Sequence, residues 1–540
     1  MKRIVPALSV LVFFLAGLAL IPWPGLQNDE LFFAGPIYAA DAAFYNIEIG
    51  SLKIPAMVMS YTGALKTWLY AGLFQFVAPN EWTVRIPVLL MGMATIWLTW
   101  VWVRRAVGNS GAGDRAAGIA AILLATDAMF QLTNTFDWGP VALQHILLMG
   151  GLVALGGWLR RESAWKLALA FFLWGLGMWD KALLAWPLGG LLIAAVCVYP
   201  RETVRRAARV KPALTALIAF LLGALPLVWY NIDHFGETAA SNARFSADDV
   251  GRKVSALRQA ADGSAVFGYM VYRGDPEYGR RPPNAVGRIS ASISSWAGDH
   301  HQNAMAPAYM AALLLSVLLW RSPVRRLLLF VLIATGIAWA QMALNKGTGG
   351  APHHAILLWP FPAIFLAIVF SEIAGRIPRY GPAVLTVLVA FLAAENLLNV
   401  NEYLAAFAVN GGAGGWTDAI FALSNSVEKS PATDWYGLVD WGCLNQLRLL
   451  HEGDLPLFVA QVPAAGVTPS EADLSEIRRE IEAPDRVFIQ HTDDKQMFPG
   501  VNGRWRDVTA RLGYREVVER VIHDRNGRPV FELYRLRKAE

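Results

Sequence analysis

The chain reads as long apolar stretches separated by short polar turns, without the strict alternation of half-buried strands. About eleven of these stretches approach the roughly 20 residues that a helix needs to cross a hydrocarbon core. They lie at residues 4 to 21, 82 to 103, 116 to 130, 139 to 159, 164 to 179 and 182 to 199, then at 212 to 230, 304 to 320, 325 to 344, 354 to 371 and 382 to 399. Residues 62 to 77 (TGALKTWLYAGLFQFV) are apolar but short, which predicts a helix lying in the interface with Trp68 and Tyr70 at headgroup level. After residue 400 the pattern changes. LPLFVAQVP at 455 to 463 and DRVFIQHT at 485 to 492 read as buried strands, and residues 514 to 537 read as two strands around an Asn526-Gly527 turn. Segments 440 to 452 and 471 to 482 read as helices. The expected fold is mainly α, a polytopic membrane helical bundle with a small C-terminal α/β domain outside the membrane. Expected boundaries are 1 to 400 for the membrane part, with long outer loops at 22 to 81 and 231 to 303, then a linker at 401 to 415 and the outer domain at 416 to 540. The linker contains GGAGG at 411 to 415, a plausible hinge.

Composition agrees with a bilayer protein: 55% hydrophobic and 16% charged residues, with a mean hydropathy of +0.37, exclude a soluble globule of 540 residues. The two cysteines, Cys197 in an apolar stretch and Cys443 in the polar tail, are not expected to pair. The net charge of +5 comes largely from basic residues in short loops. Alternating the spans puts Lys2, Arg3, Arg104, Arg105, Arg160, Arg161, Arg205, Arg206, Arg325, Arg326, Arg376 and Arg379 on one side, which the positive-inside rule makes the cytoplasm. This pattern accounts for the basic excess without a nucleic-acid partner. It places the N-terminus inside, and both long loops and the tail outside, as expected for a bacterial inner (plasma) membrane protein. Residues 1 to 25 also fit a signal peptide, but IPWPG at 21 to 25 lacks a small-x-small cleavage site, so the first span is expected to be retained.

Candidate chemistry gathers at the outer ends of spans. Asn28, Asp29 and Glu30 directly follow the first span. Adjacent carboxylates at a membrane surface are costly unless hydrated, paired or used, and one could act as a general base. Asp137 lies in NTFDWGP, a very short outer turn that is also good turn chemistry, and could face the same cavity as a further catalytic acid. Asp180 and Lys181 follow the fifth span either as an ion pair capping helix ends or, for Lys181, as a phosphate contact. NKGTGGAPHHAILLWPFP at 345 to 362 sets Lys346, His353 and His354 around a glycine-rich turn before a helix, an arrangement suited to an anion. The same segment is a polar interfacial loop if it has no function. Adjacent histidines diverge on a helix, which disfavours a shared metal ion. Asp248 with Asp249, Asp493 with Asp494 and His300 with His301 read as solvated pairs. No glycine-rich nucleotide loop and no Cys-x-x-Cys pair is present, so no nucleotide cofactor is expected.

Taken in order, these residues resemble the GT-C glycosyltransferases, in the branch of protein O-mannosyltransferases and lipid A aminoarabinose transferases. The resemblance covers approximately the first 400 residues. It runs through Asp29-Glu30, VRIP at 84 to 87, Asp137, Lys181, LVWYNIDHFGE at 227 to 237, and Lys346-Gly347 to Pro352-His353. It implies a GT-C fold and inverting transfer of a sugar from a polyprenyl-phosphate donor to a protein, lipid or glycan acceptor on the outer face. It makes Asp29 the catalytic base, and it assigns Arg85, Lys181 and Lys346 to the donor phosphate or its surroundings. Many relatives carry Glu-Lys-Pro or His-Pro-Pro in the first loop; here YTGALKTW at 61 to 68 puts Thr62 at the lysine position. Lys66, one helical turn on, could replace that charge and help hold the donor phosphate. The acidic residue before the lysine has no substitute, which leaves a divalent metal open but disfavoured. The rival class is a transporter or lipid flippase without covalent chemistry, whose charges usually lie near the bilayer midplane. A noncatalytic assembly factor on the same fold is a third reading.

Overall fold

The computed structural model describes residues 4–108, 111–275, 277–347, 349–377, 379–430 and 433–539. Lys2, Arg3 and Thr348 lie outside the described residues. Each expected span corresponds to a helix or a bent helix pair. Among the described residues, four helices are long and apolar enough to cross a membrane: Glu81–Val107, Val141–Arg161, Arg325–Ala343 and Gly381–Asn410. Four bent pairs bring the total to as many as 8, and the shorter helices Ile4–Leu20, Ala164–Asp180 and Met305–Ser316 fill the remaining expected positions. Large apolar side chains stand exposed along the outer faces of these helices, among them Leu11 and Leu15, Leu217 and Leu221, and Val387 and Phe391. A water-soluble protein would bury such rows, whereas a bilayer solvates them. The protein is an integral membrane protein.

The first helix is built into the bundle: Phe13 packs on Phe130 with ring centroids 5.6 Å apart, and Leu89 crowds Gly17. The short apolar segment of the first outer loop is helical over Leu65–Leu73. Ahead of it lies a three-stranded antiparallel sheet, Tyr45–Ile49, Leu52–Met59 and Thr62–Gly63, which the sequence pattern did not indicate.

The tail forms a five-stranded sheet. Its order is Leu457–Val459, Trp435–Leu438, Arg486–His491, Pro529–Lys538 and Tyr514–His523. The first three strands are parallel and the last two antiparallel additions. All four expected strands are found, the first shortened to Leu457–Val459, and the expected helices appear at Leu444–Leu450 and Glu471–Glu482. The strand Trp435–Leu438 and the helix Val501–Arg511 were not read from the pattern.

The junction differs from a hinge. The last membrane helix runs on to Asn410, past the residue 400 expected as its end. GGAGG is held on two sides: Ala413 N donates to Met270 O at 2.9 Å, and Gly25 N donates to Trp416 O at 2.8 Å. The β-turn at Asn526-Gly527 adds a second clamp. Asn526 donates to Val409 O and Tyr278 O, and Arg528 pairs with Asp275 and Asp524, both at 3.0 Å. Glycines at 411 and 414 adopt φ of 83° and 52°, so they serve a tight, fixed turn rather than a mobile one.

Candidate active site

The chain leaving the first span folds back over the N-terminal end of the helix Glu81–Val107, whose start is set by a capping box of Asn80 and Thr83. Arg85, on that helix, reaches the returning chain. Its Nε and Nη2 donate to the two carboxylate oxygens of Glu30 at 2.8 and 3.0 Å. The remaining donors go to Ile21 O, Pro24 O and Gly25 O at 2.7–3.0 Å. All five guanidinium N–H groups are thus satisfied, and both side chains are fully buried. Sequence reading set Arg85 near the donor phosphate and Glu30 among the catalytic acids; the structure pairs them with each other, with no Arg85 donor left over and both Glu30 oxygens accepting from the guanidinium. The pair is the lock that shapes the first loop.

Lys66 and Asp137 form a second lock. Lys66 Nζ lies 2.9 Å from Asp137 Oδ2 and 3.0 Å from Glu30 O, and the same ammonium sits over the Phe33 ring. Asp137 also accepts from Ala142 N at 2.9 Å, the start of the next span, while its own backbone is left-handed (φ 47°). Sequence reading placed Lys66 on the donor phosphate and Asp137 among the catalytic acids. The structure pairs them with each other, 94% or more buried, as the tie between the first loop and the turn after the third span.

Asp29 is different. It is the one expected acid that stays partly exposed and, among the described residues, makes no ion pair. Its amide donates to Gln27 Oε1 at 2.5 Å, and Trp138 Nε1 donates to its Oδ2 at 3.1 Å. Burial raises its pKa above the ordinary carboxylate range, partly offset by the Trp138 hydrogen bond and by the nearby charge of Lys181. Lys181 lies on the turn between two spans, 3% exposed, with Nζ donating to Gly139 O at 2.8 Å. Burial pulls its pKa down to about 8 against the opposing pull of Asp180, Asp137 and Asp29. Gly139, at φ 70°, lets the chain pass this close: a Cβ there would sit 3.0 Å from Lys181 Nζ and 3.7 Å from the His353 ring.

Aromatic rings wall the same space. Trp138 stacks on Tyr269 with centroids 4.6 Å apart and planes 15° apart, and lies 4.3 Å from the His353 ring. His353 Nδ1 is buried without a hydrogen-bond partner. His354 instead accepts from Gly349 N at 3.1 Å and so organises the glycine-rich turn. The site therefore has one partly open carboxylate, one buried ammonium with donors to spare, and an unused imidazole nitrogen, arranged around stacked rings.

No family model matches the chain, and no curated protein matches it. Among the solved structures that match, two align with this chain over almost its whole length. One is ArnT from Cupriavidus metallidurans bound to undecaprenyl phosphate, at 13% identity and a TM-score of 0.57, covering 98% of this chain and 97% of that chain. The other is the same protein in the apo state, at 14% identity, a TM-score of 0.56 and the same coverage. The chain has the GT-C fold. At such identity the likeness is one of fold, so the chemistry has to be argued from the residues themselves.

Within this GT-C fold, Lys346 does not join the pocket groups just described. It is exposed, its amide donates to Arg244 O at 2.7 Å, and among the described residues it makes no ion pair. A lysine the sequence reading passed over, Lys253, is the buried one on that side, with Nζ capping the carbonyls of Met342, Ala343 and Asn345. Asp180, read as a possible partner of Lys181, accepts instead from Gln144 at 2.8 Å. Trp138 and Tyr269 were also passed over. Trp138 lies within NTFDWGP, but tryptophans at span ends read first as interfacial anchors. Tyr269, in a long loop, carried no signal. Among the described residues, no group of three His, Cys, Asp or Glu stands together as a metal cage.

Proposed function

We propose that this protein is an inverting glycosyltransferase, moving a sugar from a polyprenyl-phosphate donor to a protein, lipid or glycan acceptor on the outer face of the membrane. The observation that carries the reading is Asp29, of the expected acids the one that makes no ion pair among the described residues, held by Trp138 beside His353 and near enough to Lys181 to feel its charge. An acceptor hydroxyl attacks the anomeric carbon while Asp29 takes its proton. The bond between that carbon and the phosphate oxygen breaks, and the electron pair leaves on the polyprenyl phosphate. Lys181 meets the growing negative charge, and His353 Nδ1 offers a further polar contact there. Attack from the face opposite the leaving group inverts the anomeric centre. The neighbour ArnT, solved with undecaprenyl phosphate, supports a lipid-phosphate donor. The arginine pairs support a cytoplasmic N-terminus and an outer tail, with surrounding lipids as the donor's route of entry.

Two outcomes follow for the charge arrangement. Lys181→Met is expected to raise the donor KM by about ten-fold or more, since charge-assisted contacts to phosphate contribute about 1.5–3 kcal/mol; an unchanged KM places the phosphate elsewhere. Steady-state kcat/KM is expected to fall at low pH as Asp29 becomes protonated, at a point above the ordinary carboxylate range because burial raises its pKa. It falls again above about pH 8 as Lys181 loses its proton. A flat profile across this range contradicts both assignments.

The transporter reading has an observation of its own in Asp127, a carboxylate 3% exposed at the break of a bent span. Incubating the purified protein with a labelled polyprenyl-phosphate sugar separates the two. Release of polyprenyl phosphate with a glycosylated product supports transfer, whereas movement of intact donor across vesicles without bond cleavage supports transport.

A further inference from the structure

Two of the bent spans carry pocket residues on the far side of their breaks. Gly111–Thr126 and Ala128–Phe136 meet at 63°, and Pro352–Leu358 and Phe361–Gly375 meet at 44°. Each break leaves a short arm that delivers pocket residues. Asp137 and Trp138 directly follow the first arm, and His353 lies in the first turn of the second.

The arms are joined at three levels. At the breaks, Asp127 caps the first arm by accepting from Phe130 N at 2.8 Å through Oδ1, and its Oδ2 accepts from Trp359 Nε1, just beyond the second arm, at 3.0 Å. Midway, His145 on the span Val141–Arg161 stands between them. Its Nε2 lies 2.9 Å from Ile356 O, and its Nδ1 lies 3.3 Å from Asn134 Nδ2. A carbonyl can only accept, so Nε2 carries the proton, and in the neutral ring Nδ1 is then the acceptor for the Asn134 amide. At the outer end, the Trp138 and His353 rings meet at 4.3 Å, and Trp138 holds Asp29. Asp127, Asn134, His145 and Trp359 are each 3% exposed or less. Polar side chains at such depth are costly, and here their polar atoms bind one arm to the other.

We infer that Asp127 and His145 are positioning residues: they join the two broken arms into one unit and so fix Trp138 and His353 around Asp29. Neither touches the proposed substrate. The inference uses the proposed function only for its activity readout.

Hydrogen exchange on the purified full chain in nanodiscs tests the coupling without reference to activity. Trp359→Phe keeps the ring packing and removes one donor; His145→Ala alters neither arm's own sequence. In both variants, exchange over residues 128–138 and 352–358 is expected to rise together by about ten-fold, while that of the helix Gly381–Asn410 stays unchanged. Loosening confined to the substituted arm, or absent from both, overturns the coupling. In the transfer assay, kcat is expected to fall about ten-fold with a smaller change in KM, since a misplaced base and wall slow chemistry more than binding. His145→Gln, whose amide can still donate to Ile356 O, is expected to restore most of it. Coupled loosening with unaltered kcat overturns the positioning role. A wild-type protein without transfer activity sinks the proposed function instead, and the exchange result then decides the coupling alone.

Discussion

Replacing Asp29 with asparagine is expected to lower sugar transfer by about two to four orders of magnitude, the usual loss when a general base is removed. The protein should remain folded. Asparagine has the same shape and keeps an oxygen for Trp138 Nε1, and Asp29 makes no ion pair among the described residues that the change would break. What is lost is the ability to take a proton at neutral pH. Turnover of a labelled donor, with a thermal melt on the same sample, checks both halves. Transfer at the wild-type rate removes Asp29 from the mechanism.

The neighbouring acid should behave in the opposite way. Arg85→Ala removes five hydrogen bonds and leaves the Glu30 carboxylate buried without a counter-charge, a change that costs about 3–5 kcal/mol in comparable buried pairs. The expected result is a large drop in melting temperature and in the yield of folded protein, with the first loop freed from the helix Glu81–Val107. Thermal unfolding in detergent measures it. A variant of wild-type stability that has lost donor affinity alone would return Arg85 to the phosphate. Asp29 and Glu30 are adjacent in sequence, so opposite phenotypes at these positions separate chemistry from architecture more sharply than substitutions farther apart would.

Periodicity and length carried the membrane part because lipid imposes one rule: backbone groups must be paired within the segment, so a long apolar stretch becomes a helix. The breaks in those helices were not legible. Asp127 and Trp359 each look unremarkable alone, and the bond joining them spans more than half of the membrane part. The chemistry of the site was legible as residue types and illegible as partnerships. Asp29, Glu30, Lys66, Arg85, Asp137 and Lys181 were all singled out, but nothing in their spacing told which carboxylate Arg85 would lock and which would stay open. Local order did tell in the tail, where Asn526-Gly527 forms the expected turn. The same turn also docks against the end of the last membrane helix, a contact that only long-range folding creates. The GGAGG segment misled for a related reason, since glycine serves a clamped tight turn as well as a flexible one.

The most direct test of the account is the structure of this protein with undecaprenyl phosphate bound. The phosphate is expected within about 3 Å of Lys181 Nζ, beside His353, with the Asp29 carboxylate facing the side from which an acceptor would approach. A phosphate bound at exposed Lys346, with Asp29 turned away from it, would contradict the account.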